Sequence, residues 1–252
     1  SGKVLFCGGT SDGKLPTSNV ELFDPESATF TALSHMLVPR ASHTATLLAS
    51  GKVLLTGGST KVNGQLVVND NTAEIFDPIS GSSSFTSGTM STPRAFHAAT
   101  VLAGGTVFIS GGTQVSPGNN EADIFDPSTG TFTAVDVPLV RRGGHTADLL
   151  PSGSVLLSGG YDSTTLALSS TELFTPSASG LSGSVTQLPS LNSPRATHTS
   201  TLLPSGKVLL AGGREGTATT AEVFDPQPTS IATFAPVAFT TSIFSTASLL
   251  PS

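Results

Sequence analysis

Short apolar runs alternate with polar and turn-forming residues along the whole chain, and no stretch shows the spacing of an amphipathic helix. Four kinds of run follow one another in a fixed order, with the patterns His-Thr-Ala-Thr-Leu-Leu, Val-Leu-Leu-x-Gly-Gly, Glu-Ile-Phe-Asp and Phe-Thr-Ala. Glycine or an Asp-Pro pair separates several of the runs, which is typical of tight turns between strands. The pattern predicts four-stranded antiparallel sheets without helices.

The four runs recur five times. The block Gly-Lys-Val-Leu-Phe-Cys-Gly-Gly at residues 2–9 returns every 48 to 54 residues, each time ending in a Gly-Gly doublet. One repeat corresponds to one sheet, so the 252 residues are predicted to form a single all-β domain, a five-bladed β-propeller with four strands per blade. The repeats span approximately 2–50, 51–104, 105–152, 153–205 and 206–252.

The phase of the repeats predicts how the propeller closes. The sequence starts at a second strand and stops after a first strand, residues 245–250. This last strand is expected to complete the N-terminal blade as its innermost strand, which removes the exposed edges of the two end sheets. A single repeat cannot bury both faces of its sheet, so neighbouring blades are expected to share their stability.

The repeat resembles the kelch repeat, whose marks are the Gly-Gly doublet after an apolar strand, a downstream aromatic pair and a following Pro-Arg-x-x-His. The resemblance covers the whole chain, although phenylalanine stands where kelch repeats usually have tyrosine and tryptophan, and it fits a prokaryotic type of kelch repeat. It implies that partners bind at the loops after the doublets and at the Arg-x-x-His segments. Two enzyme sites of this fold are not matched: a galactose-oxidase-like copper site needs a second tyrosine besides Tyr161, and the Glu-x-x-x-Asp-x-x-x-His iron motif of plant specifier proteins is absent.

Four arginines and four histidines occupy equivalent positions, where the chain passes from the outermost strand of one blade to the innermost strand of the next. They are candidates to bind a ligand near the axis. The alternative is structural: each arginine pairs with the acidic residue that opens a third strand, and each histidine bonds to a backbone carbonyl. The candidates are Arg40, His43, Arg94, His97, Arg142, His145, Arg195 and His198, and the acidic residues are Glu74, Asp123, Glu172 and Glu222.

A metal site is a further alternative, because imidazole binds zinc, nickel and copper. It would require His43, His97, His145 and His198 to turn towards the axis together. The fifth repeat has serines, Ser242 and Ser245, in place of arginine and histidine, so such a ring would be open on one side. The doublets are assigned to close backbone packing, and the aspartates of the Asp-Pro pairs are assigned to turn capping.

Charge and composition argue against several classes of partner. The net charge is −6, with five lysines and six arginines, so no basic stripe is available for nucleic acid. No apolar run is long enough to insert in a membrane, and no cofactor motif is present. The variable loops 10–19, 59–72, 113–120, 161–169 and 214–220 supply two more candidate ligand-binding residues, Tyr161 and Arg214.

The sequence thus favours a binding module without enzymatic activity that recognises a protein or a glycan. We expect it outside the cell or on the cell surface, as a monomer or as part of a longer chain. Two alternatives stay open: a metal-binding protein or enzyme that uses the histidines, and an architectural domain of a larger surface protein.

Overall fold

The computed structural model of the chain describes residues 2–10, 15–62, 65–67, 70–112, 122–136, 139–213, 221–226 and 229–233. Within these ranges the chain forms strands and turns but no α-helix, as the spacing of its apolar residues predicts. Accordingly, no helix of membrane-spanning length and hydrophobicity occurs among these residues.

The strands form five antiparallel sheets, which are the blades of a five-bladed β-propeller. Blade 1 contains β1 (Val4–Cys7), β2 (Val20–Asp24) and β3 (Thr29–Ala32), and blade 2 contains β4 (Thr44–Leu47), β5 (Val53–Thr56), β8 (Ala73–Asp77) and β9 (Ser82–Phe85). Blade 3 contains β10 (Ala98–Val101), β11 (Val107–Ser110), β12 (Ala122–Asp126) and β13 (Thr131–Val135). Blade 4 contains β14 (Thr146–Leu149), β15 (Val155–Ser158), β16 (Thr171–Pro176) and β17 (Gly183–Leu188), and blade 5 contains β18 (Thr199–Leu202), β19 (Val208–Ala211), β20 (Ala221–Pro226) and β21 (Thr229–Thr233).

Each four-stranded blade has the strand order that the sequence predicts, with consecutive strands paired. The turn between β4 and β5 places Gly51 at a φ of 80°, a conformation that glycine adopts without a Cβ clash. In the turn between β8 and β9, the Asp77 carboxylate accepts hydrogen bonds from the backbone N–H groups of Ile79, at 2.9 Å, and Ser80, at 3.3 Å. The predicted turn-capping role of this aspartate is confirmed.

The hydrophobic core lies between blades. Four clusters of buried side chains occur, one at each junction between consecutive blades from blade 1 to blade 5. At the junction of blades 3 and 4 the rings of Phe108 and Phe174 stack in parallel with their centroids 3.9 Å apart. Because each cluster takes side chains from two sheets, no blade can bury its apolar face alone.

The variable loop 59–72 contains a short hairpin of β6 (Thr60–Val62) and β7 (Gln65–Val67), which forms a two-stranded sheet separate from the described blades. The predicted closing strand, residues 245–250, lies outside the described residues, so closure of the ring by this strand remains a prediction.

Candidate functional site

The Gly-Gly doublets and the Arg-x-x-His segments lie at the same end of the propeller, which we call the doublet face. Each second strand ends in a doublet, and after the second and fourth doublets the next residue pairs with the residue that follows an arginine. Ser59 and Ala41 exchange two backbone hydrogen bonds of 2.7 and 3.0 Å, and Tyr161 and Gly143 do the same at 2.9 and 2.8 Å. The loops and the linkers are therefore joined into one surface.

The four arginines of this face are buried in ion pairs. In blade 2 the Nε atom of Arg40 lies 3.0 Å from Oε1 of Glu74, and neither side chain is exposed to solvent. Equivalent pairs are Arg94 with Asp123, Arg142 with Glu172 and Arg195 with Glu222, each at 2.8 Å. The structural pairing of each arginine with the acidic residue of a third strand is confirmed. A ligand would reach these guanidinium groups only if the blade opened.

The same arginines also connect adjacent blades. The backbone oxygen of Arg40 accepts a hydrogen bond of 2.8 Å from the N–H of Gly9 in blade 1, while its Nη1 donates to the carbonyl of Gly57 in blade 2 at 2.8 Å. Equivalent guanidinium bonds run from Arg94 to Gly111, Arg142 to Gly159 and Arg195 to Gly212. A Cβ on Gly57 would overlap the carbonyl oxygen of Arg94, which explains why the doublets are glycine.

Removing one partner of such a pair should be costly. Glu172→Gln leaves the buried Arg142 guanidinium without a countercharge, and we expect the free energy of unfolding to fall by about 3–5 kcal/mol in urea titrations. The exposed pair of Lys52 and Asp77, at 3.5 Å, serves as the control: Lys52→Ala should cost no more than about 1 kcal/mol. If the double variant Arg142→Met/Glu172→Met were less stable than Glu172→Gln, the explanation by an unpaired buried charge would be wrong.

The four histidines pack between the doublets of adjacent blades. His97 hydrogen-bonds through Nε2 to the hydroxyl oxygens of Thr56, at 2.9 Å, and Thr44, at 3.1 Å. His145 bonds in the same way to Ser110, and His198 bonds to Thr146 and Ser158. The sequence prediction of bonds to backbone carbonyls is therefore wrong in its partner, because hydroxyl side chains from the preceding blade reach Nε2 in these three cases.

Burial and the adjacent arginines keep these imidazoles neutral. Burial lowers the pKa of His43 to about 4 and that of His97 and His198 to about 3, and it also lowers the pKa of His145. The rings lie at four separate junctions, and the described ranges hold no group of three or more His, Cys, Asp and Glu side chains that could hold a metal ion. The metal alternative thus gains no support from the geometry.

The residues before these four histidines form an arc on the doublet face, in which backbone hydrogen bonds join one blade to the next. Ser42, Phe96, Gly144 and Thr197, which we call the mouth ring, all have left-handed backbones with φ between 51° and 58°. The N–H of Phe96 donates to the oxygen of Ser42, that of Gly144 to Phe96 and that of Thr197 to Gly144, at 2.7–2.9 Å. The backbone is constant around the ring while the side chain differs in every blade.

One side chain of the mouth ring meets a candidate from the sequence. Phe96 is 43% exposed, and its ring lies edge-on to the half-buried Tyr161 ring, with centroids 6.4 Å apart and an angle of 66° between the planes. Any Cβ at Gly144 would clash with the Tyr161 ring, so this glycine makes room for the tyrosine. Phe96 was not predicted as a site residue, although a phenylalanine stands here where the equivalent positions hold Ser42, Gly144 and Thr197. Arg214, the other loop candidate, lies outside the described residues.

The channel wall contains one departure from the repeat. At the junction of blades 3 and 4, the hydroxyl of Thr100 donates to the carbonyl of Ala147 at 2.9 Å. At the next junction Asp148 replaces the threonine and Ser200 replaces the alanine, and the serine hydroxyl donates to Oδ1 of Asp148 at 2.7 Å. Oδ2 is buried and has no hydrogen-bond partner among the residues that the structure describes. Burial raises the pKa of this carboxyl.

The double variant Asp148→Thr/Ser200→Ala, which reproduces the junction of blades 3 and 4, should be more stable than the wild type at pH 7. A gain on the order of 1 kcal/mol is expected because a buried acceptor without a partner is removed. A raised pKa in the folded state means that ionisation disfavours folding, so the gain should appear as the pH rises above about 3.8. Urea titrations at pH 3 and pH 7 test this; an equal gain at both pH values would contradict it.

The opposite end of the propeller carries a groove between blades 2 and 3 with a volume of about 580 Å³. Turn residues line it, among them Lys52, Thr106 and Asp126. Lys52 is paired with Asp77, and Asp126 accepts hydrogen bonds from Ser128 within its own turn, so the charged groups are already used by the scaffold. The groove has no feature comparable to the aromatic pair of the doublet face.

Comparison with known proteins supports the fold and nothing finer. No protein-family model matches the sequence, and no curated protein sequence matches it. Among solved structures, a fungal alcohol oxidase of the AA5 family in complex with copper is similar, with a TM-score of 0.74, 19% identity and 94% of this chain covered. The chain spans about half of that oxidase, 52% of its length. The protein YjhT is also similar, with a TM-score of 0.69 and 15% identity over 88% of this chain and 78% of that one.

Proposed function

We propose that this propeller is a kelch-type binding module without enzymatic activity, and that its doublet face recognises a protein or a glycan. One observation carries the proposal: around the mouth ring the backbone hydrogen bonds repeat from blade to blade, while the residue differs in each blade and Phe96 is the exposed member among the four. A rigid frame that presents variable side chains is the usual arrangement of recognition surfaces.

Backbone strain at the mouth ring adds to the argument. Ser42, Phe96 and Thr197 adopt left-handed conformations that only glycine adopts without cost, and for a bulky residue such as Phe96 this is an outlier. Such strain tends to be kept at functional sites, where the surrounding structure over-determines the backbone. A glycine would relieve the backbone strain, as Gly144 does in blade 4. Because Phe96 stands there instead, we expect its side chain to contact the ligand.

We propose an extracellular or cell-surface location, either as a monomer or as part of a longer chain. The low content of charged residues, 11%, and the abundance of serine and threonine support this location. A purely architectural role in a larger surface protein is the competing proposal, and it predicts that the doublet face binds nothing.

The test is a binding screen with variants of each face. The wild-type protein is labelled and applied to glycan and surface-protein arrays. Phe96→Ser/Tyr161→Ser should lose the signal, whereas Ile79→Ser on the opposite face, at a residue that is 96% exposed, should keep it. Equal binding by both variants would place recognition elsewhere, and no binding by any of the three proteins would favour the architectural role.

Metal analysis separates the enzymatic alternative from the proposal. The buried histidines bond to hydroxyl groups at separate junctions, so we expect no stoichiometric metal in the purified protein. Zinc, copper or iron bound in a one-to-one ratio and lost in His97→Ala/His145→Ala would overturn the non-enzymatic proposal.

A further inference from the structure

We propose that Phe96 and Tyr161 are two walls of a binding site for an alkylammonium group, and that a partner protein supplies this group as a lysine side chain. The inference rests on the proposed function, because it names what the doublet face recognises. The proposed site uses side chains that differ from blade to blade, so it lies at one place in the mouth ring.

The geometry suits a cation better than a flat ligand. The two rings lie at 66° with centroids 6.4 Å apart, so they form a corner and not a coplanar platform. A cation in such a corner can approach the face of an aromatic ring, where the quadrupole is negative, within about 6 Å. Sugar rings stack instead on a broad exposed aromatic face, which a half-buried tyrosine standing over Gly144 does not offer.

The backbone N–H groups beside the corner are already bonded within the protein, which disfavours ligands that need many hydrogen bonds. The N–H groups of Phe96, Gly144 and Tyr161 all donate to backbone oxygens, to Ser42, Phe96 and Gly143 respectively. A sugar or carboxylate that gave up water here would find none of these donors available, at a cost that a group bound by its charge and methylenes avoids.

Negative charge on the protein favours an ammonium group over a neutral apolar group as the ligand. Asp162 follows Tyr161 directly, and its Oδ1 accepts hydrogen bonds from the backbone and hydroxyl groups of Thr164 and Thr165 at 2.5–2.9 Å. Burial alone would raise the pKa of Asp162, but these bonds outweigh it and lower the pKa to about 2, so the carboxylate stays charged. The net charge of −6 also attracts basic partners.

Intrinsic tyrosine fluorescence can be used to test the proposed site. Tyr161 is the only tyrosine and there is no tryptophan, so the intrinsic emission of the whole chain reports on this site. N-acetyl-lysine amide, N-acetyl-norleucine amide, choline and methyl glucoside are titrated into the wild-type protein at low salt. The lysine and norleucine probes share the aliphatic chain and differ in the ammonium group.

We expect the lysine probe to change the Tyr161 emission and to bind about threefold or more tightly than the norleucine probe, with the difference reduced by added salt. Phe96→Ala should abolish this preference. Phe85→Ala, at a residue that is 58% exposed on β9, is the matched control and should keep it. Equal thermal unfolding midpoints of the two variants establish that both are folded.

Each other outcome overturns the inference in a defined way. Norleucine binding as tight as lysine binding makes the corner an apolar site, and tight binding of the glucoside makes it a sugar site. Choline binding without lysine binding excludes the lysine side chain as the ligand. If no probe binds while Phe96→Ser/Tyr161→Ser still abolishes binding to the arrays, the proposed function stands and only the assignment of the ligand fails.

Discussion

Lowering the pH from 7.5 to about 4.5 is expected to unfold this propeller. The physical reason is the set of four buried imidazoles between the doublets. Each is neutral in the folded protein, with a pKa far below its ordinary value of 6.5, because burial and then the neighbouring arginine disfavour the charged form. In the unfolded chain each would take up a proton near pH 6.5.

The sign and size of the effect follow from proton linkage. Stability is fully present above pH 6.5, where neither state binds the protons, and is lost as the pH falls towards the folded pKa values of about 3 to 4. Each histidine contributes about 1.4 kcal/mol per pH unit in that window, so four contribute roughly 5 kcal/mol per unit. Typical domains have a free energy of unfolding of about 5–15 kcal/mol. A fall of two pH units below 6.5 removes a comparable amount of stability and is therefore expected to unfold the protein.

The measurement is the free energy of unfolding from urea titrations at pH 7.5, 6.5, 5.5 and 4.5. His97→Gln should reduce the slope between pH 6.5 and 4.5 by about a quarter. The matched control is His35→Gln, which removes an imidazole that is exposed and not packed between doublets. Asp148 acts in the opposite direction, because its raised pKa favours folding at low pH. A stability that is flat over this range would contradict the buried neutral state of the four rings.

The blades and the ion pairs could be predicted from the sequence because both repeat. A strand signal of four residues is weak alone, but five copies in the same order fix the strand order within each sheet. The pairing of Arg142 with Glu172 could be predicted because a guanidinium that recurs in four repeats near a recurring carboxylate has one simple partner.

Contacts between residues that differ from repeat to repeat could not be predicted, because no other repeat shows the same combination of side chains. Phe96 and Tyr161 come from different repeats, and only the propeller geometry brings the rings within 6.4 Å. The partner of Asp148 is a serine of the next blade, whose direction depends on the strand register. The hydroxyl partners of the histidines do repeat, but they were missed because they belong to the preceding blade, as Thr44 and Thr56 do for His97.

Deleting residues 243–252 is expected to destabilise the propeller so strongly that thermal denaturation no longer shows a cooperative transition. In blade 1 the described strands are β1 to β3, and Val4 and Phe6 on β1 are exposed where the equivalent residues of blade 2 are buried. Phe6 is 50% exposed, whereas Leu55 at the equivalent position of blade 2 is not exposed at all. We expect the segment 245–250 to cover this face, and its loss would leave an unpaired edge and an open junction between blades 5 and 1.

The register of the other blades turns this expectation into a covalent test. Thr44 pairs with Thr56 in blade 2, and the equivalent residues of the predicted closure are Thr246 and the free Cys7. Thr246→Cys should therefore form a disulfide with Cys7, because directly opposed cysteines on paired strands come within bonding distance. Burial raises the pKa of Cys7 to about 11, so an added oxidation catalyst is needed. Ala247→Cys, one residue further and facing the other side of the strand, should not form the bond; equal cross-linking of both variants would contradict the predicted register.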